Sequence, residues 1–412
     1  MAEPFPREGL PLDEARERVL AALTPLAGTE RRPLNACLGR VSAEVCRASE
    51  AVPGFRAAIL DGYAIAEADS PPAPGTRWRV VGRSAPGAPF RGALAPGNAI
   101  RILTGAPLPD AAGRVLPQEL VQREGDSLRL NEAVGPNPWI RGPEEEACAG
   151  QELLGEGIRL GPADLARLVG CGVASLVVRT PPRLGLLISG DELVPAGAPR
   201  APGTIWESNG TLLETLLARL GQAVAERHVV PDQPEALAHA LETLAARCDV
   251  VVSTGGVSAG DTDWIRPLLA ERGEVAFWKL FLKPGRPFAF GRIGERPFFG
   301  LPGNPVAAAI TALQLLWPAL QHLEGAVPDP LPRLRVRLAA PLKRGAGRPE
   351  LARARLRVGP EGELLALVEG SQASSRIGSL QGADLLLELP AELGSLEAGQ
   401  PLWAQLLRLP IF

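Results

Sequence analysis

A β-branched run that ends in paired glycines constrains this chain more than any other feature. Val250-Val251-Val252-Ser253-Thr254 leads without a charged break into Gly255-Gly256-Val257-Ser258-Ala259-Gly260-Asp261-Thr262-Asp263. An unbroken apolar run is what a parallel strand buried on both faces requires. Glycines directly behind it let the backbone turn at positive φ and approach a ligand closely. The N–H groups of such a turn, or of the helix start that follows, attract anions. Two further stretches are built alike: residues 184–189 run into Gly190-Asp191-Glu192, and residues 298–301 into Pro302-Gly303-Asn304-Pro305. Ligands of open α/β sheets bind outside the carboxyl ends of the strands. Three such turns therefore predict one ligand-binding edge.

Strands and helices alternate around this stretch from 182 to about 323, which predicts a three-layer α/β domain with a mainly parallel sheet. Strands are expected over 184–189, 223–230, 250–254, 275–279, 287–290 and 298–301, and helices over 208–220, 234–246, 262–269 and 305–323. Ser208 and Asn304 stand where helix caps belong, and Pro305 suits a first helical turn. Glu192, Asp232 and Asp263 follow three different strands and should converge, as carboxylates that share Mg²⁺ with a substrate phosphate do. Upstream, apolar residues at 12, 15, 19, 20, 23 and 26 predict an amphipathic helix capped by Asp13 and ended by Pro25. A short extended piece and a second short helix are expected within 31–48. From 53 to 143 Pro and Gly recur between short apolar runs, the texture of an all-β module. There Asp61-Gly62-Tyr63 and Arg101-Ile102-Leu103-Thr104-Gly105 each place a polar side chain at a turn. Glu144-Glu145-Glu146 marks an exposed hinge before a helix over 162–171 and a strand over 175–179. Beyond 331, strands over 333–339, 352–358, 363–368, 384–388 and 401–407 form a second β domain, with Gly370-Ser371-Gln372-Ala373-Ser374-Ser375 as a polar loop.

With 412 residues the chain exceeds one ordinary domain. A net charge of −3 argues against a general nucleic-acid surface. No stretch reads as a membrane span, and the first residues lack the basic and apolar regions of a secretory signal. Five cysteines without C-x-x-C spacing fit a reducing cytoplasm rather than a zinc site. Of 43 basic Lys and Arg residues only Lys279, Lys283 and Lys343 are lysine. Two of these lie close together in Trp278-Lys279-Leu280-Phe281-Leu282-Lys283-Pro284-Gly285-Arg286-Pro287, which points to a need for compact ammonium donors there.

Six motifs occur in order: Asp61-Gly62-Tyr63-Ala64, Arg101-Ile102-Leu103-Thr104-Gly105-Ala106-Pro107, Gly190-Asp191-Glu192-Leu193, Ser253-Thr254-Gly255-Gly256-Val257-Ser258, Lys283-Pro284-Gly285-Arg286-Pro287-Phe288-Ala289-Phe290-Gly291 and Gly300-Leu301-Pro302-Gly303-Asn304-Pro305-Val306. Together they resemble the molybdopterin molybdenumtransferases, the MoeA family, to which the C-terminal domain of gephyrin also belongs. The resemblance implies a multidomain α/β plus β chain. It would have an N-terminal helix (1–28) packed with the α/β domain, a linking domain (29–52 and 144–180) and an all-β insertion (53–143). A MogA-like three-layer α/β domain (181–326) and a C-terminal β-barrel (327–412) would follow. It further implies a cytoplasmic homodimer that takes molybdate and adenylylated molybdopterin, cleaves the adenylate with Mg²⁺, and works beside other cofactor-biosynthesis proteins. Carried over by position, Asp61, Thr104, Glu192, Asp232, Asp263 and Lys279 would form the catalytic set. Glu192, Asp232 and Asp263 would hold the metal. Substrate binding would fall to Ser208, Asn209, Gly255, Gly256, Ser258, Lys283, Arg286, Pro302, Gly303, Asn304 and Pro305, with Arg348 and Arg353 from the last domain.

The chain also departs from that pattern. Arg56-Ala57-Ala58-Ile59-Leu60 replaces a polar Asp-Asn-Ser-Ala-Met, Glu146 and Glu207 stand where Asp is usual, and Ala307 replaces a common Ser. These changes leave open a catalytically weakened paralogue that binds molybdopterin or assists assembly.

Overall fold

The computed structural model describes residues 9–66, 70–257 and 264–407. At its centre is a six-stranded sheet in the order Val224–Val230, Leu184–Ser189, Val250–Thr254, Arg296–Leu301, Ala289–Ile293, Gly273–Trp278. The first four strands pair in parallel and the last two antiparallel. Side chains of a strand alternate between faces, and here they divide two cores. Val250 and Val252 enter one with Leu186 and Ile188, while Val251 and Leu187 enter the other. Helices Asn209–Arg219 and Pro305–Thr311 cover the first face, and Pro234–Arg247 and Ile265–Arg272 cover the second. The chain is thus multidomain α/β plus β with a three-layer α/β portion.

The stretch Pro305–Leu323 is one continuous helical run, interrupted in the middle by a π-type segment, Ala312–Leu316. By length and hydropathy it would pass for a membrane span, yet 89% of its most apolar window is buried inside the protein. Pro318 explains the interruption. Lacking an N–H, it leaves the carbonyl four residues back without its helical donor and clashes with it. That carbonyl, Gln314 O, instead accepts from Arg16 Nε at 3.1 Å, and Gln314 Oε1 accepts from Arg16 Nη2 at 3.1 Å. The proline thereby creates the docking point for the N-terminal helix, whose Ala15 and Val19 are fully buried in the first core.

That N-terminal helix is shorter than its apolar spacing predicts, spanning Leu12–Ala21 with Pro11 rather than Asp13 at the cap. Asp13 pairs with Arg16 within the first turn. The helix stops because Leu26 N–H donates to Leu323 O at 2.8 Å, a tertiary bond that needs extended chain before and after Pro25. The short helix expected within 31–48 is only a 3₁₀ turn, Leu34–Ala36, packed beside helix Pro162–Gly170 and the pair Thr29–Pro33 with Ser175–Arg179.

Six strands between Gly62 and Leu130 form a second sheet with apolar clusters on both faces. Strands Arg333–Leu338, Leu364–Leu367, Glu350–Val358, Leu385–Leu389 and Pro401–Leu406 close into a barrel around Leu338, Ala352, Leu387 and Ala404. A seam joins this barrel to the central sheet: Lys283 N–H donates to Pro349 O and Leu351 N–H to Lys283 O, each at 2.9 Å. Behind the seam Phe277, Phe288, Phe290 and Phe299 pack ring on ring, 5.1 to 5.8 Å between centroids.

Candidate functional site

The carboxyl ends of the parallel strands open onto a cavity of about 920 Å³ whose far wall comes from the barrel. Thr254, Gly255 and Gly256 form its floor with Pro302, Gly303, Asn304 and Pro305. Gly255 has φ +92°, and a Cβ built on it would lie 2.7 Å from Ser189 O. Only glycine fits there. Asn209 ties these turns together, its Nδ2 donating to Thr254 Oγ1 at 2.9 Å and to Gly303 O at 2.7 Å. Its Oδ1 is buried and has no partner among the described residues. Ser208 and Asn304 occupy N-cap positions, but neither side chain makes the capping bond expected of it. For the first helix Glu207 does so instead, accepting from Gly210 N–H at 2.7 Å while pairing with Arg227. The longer Glu at 207 is therefore held in structural bonds, although it also lines the cavity.

Charge is divided along the sheet edge. Glu192 and Asp232 line the cavity from the ends of Leu184–Ser189 and Val224–Val230, on one side of the sheet. Asp191 Oδ1 accepts from Asp232 N–H at 3.0 Å and fixes the second loop beside the first. Burial pushes the Asp232 carboxyl above the usual range, and Asp191 and Glu192 add to this, while nearby Ser189 works against it. Asp232 Oδ1 and Ser189 Oγ are both buried and, apart from each other, have no hydrogen-bond partner among the described residues. A buried carboxylate with so little compensation, beside other carboxylates, is what a bound cation would satisfy. Among the described residues no three His, Cys, Asp or Glu side chains cluster closely enough to hold a metal alone. The donor set hence fits Mg²⁺ that takes most of its ligands from phosphate and water.

Lys283, Arg286 and Arg348 supply the cationic part of the lining. Lys283 sits on the connection between Gly273–Trp278 and Ala289–Ile293, on the other side of the sheet. Its Nζ lies 3.1 Å from Glu350 Oε2, a carboxylate buried in the barrel and also 3.6 Å from Arg344 Nε.

Four expected site residues stand elsewhere. Lys279 lies outside the cavity with its ammonium 4.3 Å from the Trp278 ring centre, a ring also covered by Arg266 at 4.2 Å. Arg353 is 2% exposed and sits behind the barrel loop, donating to Ser379 Oγ and Ala373 O. Strand alternation is the reason: Ala352 and Ala354 face the barrel core, which turns Arg353 to the opposite face behind the loop, whereas Arg348 precedes that strand and lines the cavity. Asp61 and Thr104 meet each other in the insertion sheet, where Gly62–Ile65 runs antiparallel to Asn98–Ile102. Asp61 Oδ1 accepts from Thr104 N–H and Oγ1, both at 2.8 Å, and these bonds hold the carboxyl below its ordinary range. The expectations for Ser258 and Asp263 lie outside the described residues. Two contributors were missed: Trp206, half exposed at the rim, and Gln372–Ser375, the polar barrel loop. Its composition marked the loop in the sequence, but not the wall it belongs to.

A pH consequence follows for Asp232. Its folded pKa is raised above the unfolded value of about 3.9. The native state then binds more protons in that window, so its contribution to stability is present below the window and lost as pH rises through it. Asp232→Asn is therefore expected to leave unchanged or raise the melting temperature at pH 7 in chelator, read by calorimetry. A fall of more than about 2 °C would show the carboxylate to be structural.

Residues 10–172 match the MoeA N-terminal region (domain I and II), residues 185–322 a probable molybdopterin binding domain, and residues 335–407 the MoeA C-terminal region (domain IV). A molybdopterin molybdenumtransferase of Haemophilus influenzae is 32% identical over 393 residues, 95% of this chain and 97% of that one. Molybdopterin molybdenumtransferase 2 of Mycobacterium tuberculosis is 30% identical, over 94% of this chain and 98% of its own. The crystal structure of the molybdopterin biosynthesis MoeA protein from Pyrococcus horikoshii OT3 superposes with a TM-score of 0.81 at 27% identity, covering 97% of this chain and 100% of that one.

Proposed function

The chain belongs to the MoeA family of molybdopterin molybdenumtransferases, enzymes of molybdenum cofactor biosynthesis, and from this we propose that it inserts molybdate into adenylylated molybdopterin with release of AMP. The observation that carries the proposal is the polarity of the cavity, with carboxylates at one end of the strand edge and cations at the other. A phosphoanhydride needs its charge neutralised at one place, and an oxyanion needs cations at another.

Glu192 and Asp232 would hold Mg²⁺ against the phosphates, with Asp263 proposed from the sequence alone as a third carboxylate. When bound, the metal would neutralise negative charge that grows as the phosphoanhydride is cleaved. The turns at Gly256 and at Gly303–Asn304 would bring backbone N–H groups to the anionic substrate, whereas Gly255 N–H is already bonded to Leu301 O and Val306 N–H to Ser374 O. Asn209 keeps those two turns in register. Lys283, Arg286 and Arg348 would receive molybdate. Asp61, Thr104 and Lys279, which lie outside the cavity, are proposed to act from a partner protomer or on a different part of the substrate. On this reading the enzyme is a cytoplasmic homodimer, divided into the four parts implied by its family.

The test is to supply purified protein with adenylylated molybdopterin, Mg²⁺ and molybdate and to measure AMP. Molybdate-dependent release supports the proposal. Binding of the adenylylated pterin without release would support a binding or assembly role instead.

The division of the pocket has its own test. Lys283→Ala is expected to weaken molybdate binding at least about tenfold, the scale of one charge-assisted hydrogen bond, and to change AMP binding much less. Equal losses for both ligands in calorimetric titration would sink the division.

A further inference from the structure

The barrel loop that walls the main cavity has a second side. Gln372, Ala373, Ser374 and Ser375 face the cavity already described, whereas Ser371, Arg376 and Ser379 line a separate cavity of about 330 Å³ on the barrel. Arg353 and Arg355 complete its cationic lining, and Glu369 is its one acidic residue. Glu369 is engaged with Arg355, Oε2 to Nε at 3.2 Å. Arg376 is exposed, and its guanidinium makes no ion pair or hydrogen bond among the described residues.

Arg353 is the anomaly. It heads the largest fully buried side chains, and no carboxylate among the described residues lies within ion-pair distance of it. Nε donates to Ser379 Oγ at 3.2 Å and Nη2 weakly to Ala373 O at 3.4 Å, both on the loop itself. Nη1 is buried with no partner among the described residues. A buried charge that stays ionised is ordinarily paired, because leaving it uncompensated is costly. Hydrophobic packing alone would favour an apolar residue at this strand position. A cavity with three arginines, two hydroxyls and a single engaged carboxylate supplies the place for a compensating anion. Its size and its lack of aromatic or extended apolar lining suit a small ion rather than a nucleotide.

We propose that this cavity binds a free tetrahedral oxyanion of the sulfate or phosphate type, at a site distinct from the substrate cavity and separated from it by the 371–379 loop. The inference rests on the barrel alone and does not depend on the proposed transferase reaction. The site would also be tied to the loop. Arg353 N–H donates to Gln372 Oε1 at 2.8 Å and Gln372 Nε2 to Arg353 O at 3.2 Å, so an anion beside Arg353 is bonded through one residue to the wall of the main cavity.

The probe is sodium sulfate, titrated calorimetrically into the full chain at low ionic strength against a sodium chloride control. Because the Lys283, Arg286 and Arg348 pocket would take a tetrahedral dianion as well, the titrations use an Arg348→Ala background that weakens it, and there one saturable sulfate per chain is expected. Arg376→Ala removes no contact seen in the fold and is expected to weaken sulfate at least about tenfold at an unchanged melting temperature. Absence of saturable binding in that background, or binding insensitive to Arg376→Ala, would overturn the proposal. A parallel titration with AMP separates a free oxyanion from a phosphoryl group carried on a larger molecule. If Arg376→Ala weakened AMP more than sulfate, the assignment to a free oxyanion would fall.

Discussion

Glu192→Gln is expected to lower molybdate-dependent AMP release about 100-fold or more, the scale of losing one preorganised group that stabilises developing charge. The fold should hardly notice. Glu192 is exposed, follows the Gly190-Asp191 turn, and its side chain makes no ion pair or hydrogen bond among the described residues. Surface changes of this kind stay within about 0.5 kcal/mol, so the melting temperature should move by no more than about 2 °C. The amide keeps the shape and removes the charge, which isolates the electrostatic contribution. An unchanged rate would show that the carboxylate end of the cavity is not where the phosphates sit.

Gly255→Ala should be the most damaging small substitution in the site. Its φ of +92° is strained for any L side chain, and the new Cβ would press to 2.7 Å on the Ser189 carbonyl, which is backbone and cannot swing away. Strain of this kind costs about 1–3 kcal/mol before the clash is added. A fall in melting temperature of at least about 4 °C is therefore expected, with loss of AMP release. Gly303→Ala is the matched control. Its Cβ would meet nothing nearer than Gly255 Cα at 3.6 Å, an ordinary contact. If the two alanine variants melt together, the backbone requirement at 255 is wrong.

How much of this was legible in the sequence depended on where each constraint comes from. Residues 184–189 and 250–254 were readable to the residue because strands buried on both faces leave unbroken apolar runs. The parallel edge, with its glycine turns and the Asn304–Pro305 helix start, followed from them. The end of the first helix was not readable, because the bond from Leu26 to Leu323 joins positions far apart in the chain. Arg353 and Arg348 look equivalent in sequence, five residues apart and both basic. Arg348 lies before strand Glu350–Val358, while the direction of Arg353 is set by its phase within it, fixed by pairing with Leu385–Leu389 rather than by local composition. Likewise Asp61 and Thr104 read as two turns, and only the antiparallel register of their strands makes them one hydrogen-bonded pair.

The seam at Lys283 bears on how such chains can be recombined. Its two backbone bonds to Pro349 and Leu351, and its ammonium on buried Glu350, mean that the cationic turn takes its position from the barrel as much as from its own sheet. A chimera carrying the barrel of one relative on the α/β portion of another would have to match this seam atom for atom. A mismatch would misplace Lys283 even where every residue of the turn was retained. The turn and the barrel are thus inherited as a single cassette, although Lys283 and Glu350 stand 67 positions apart in the chain.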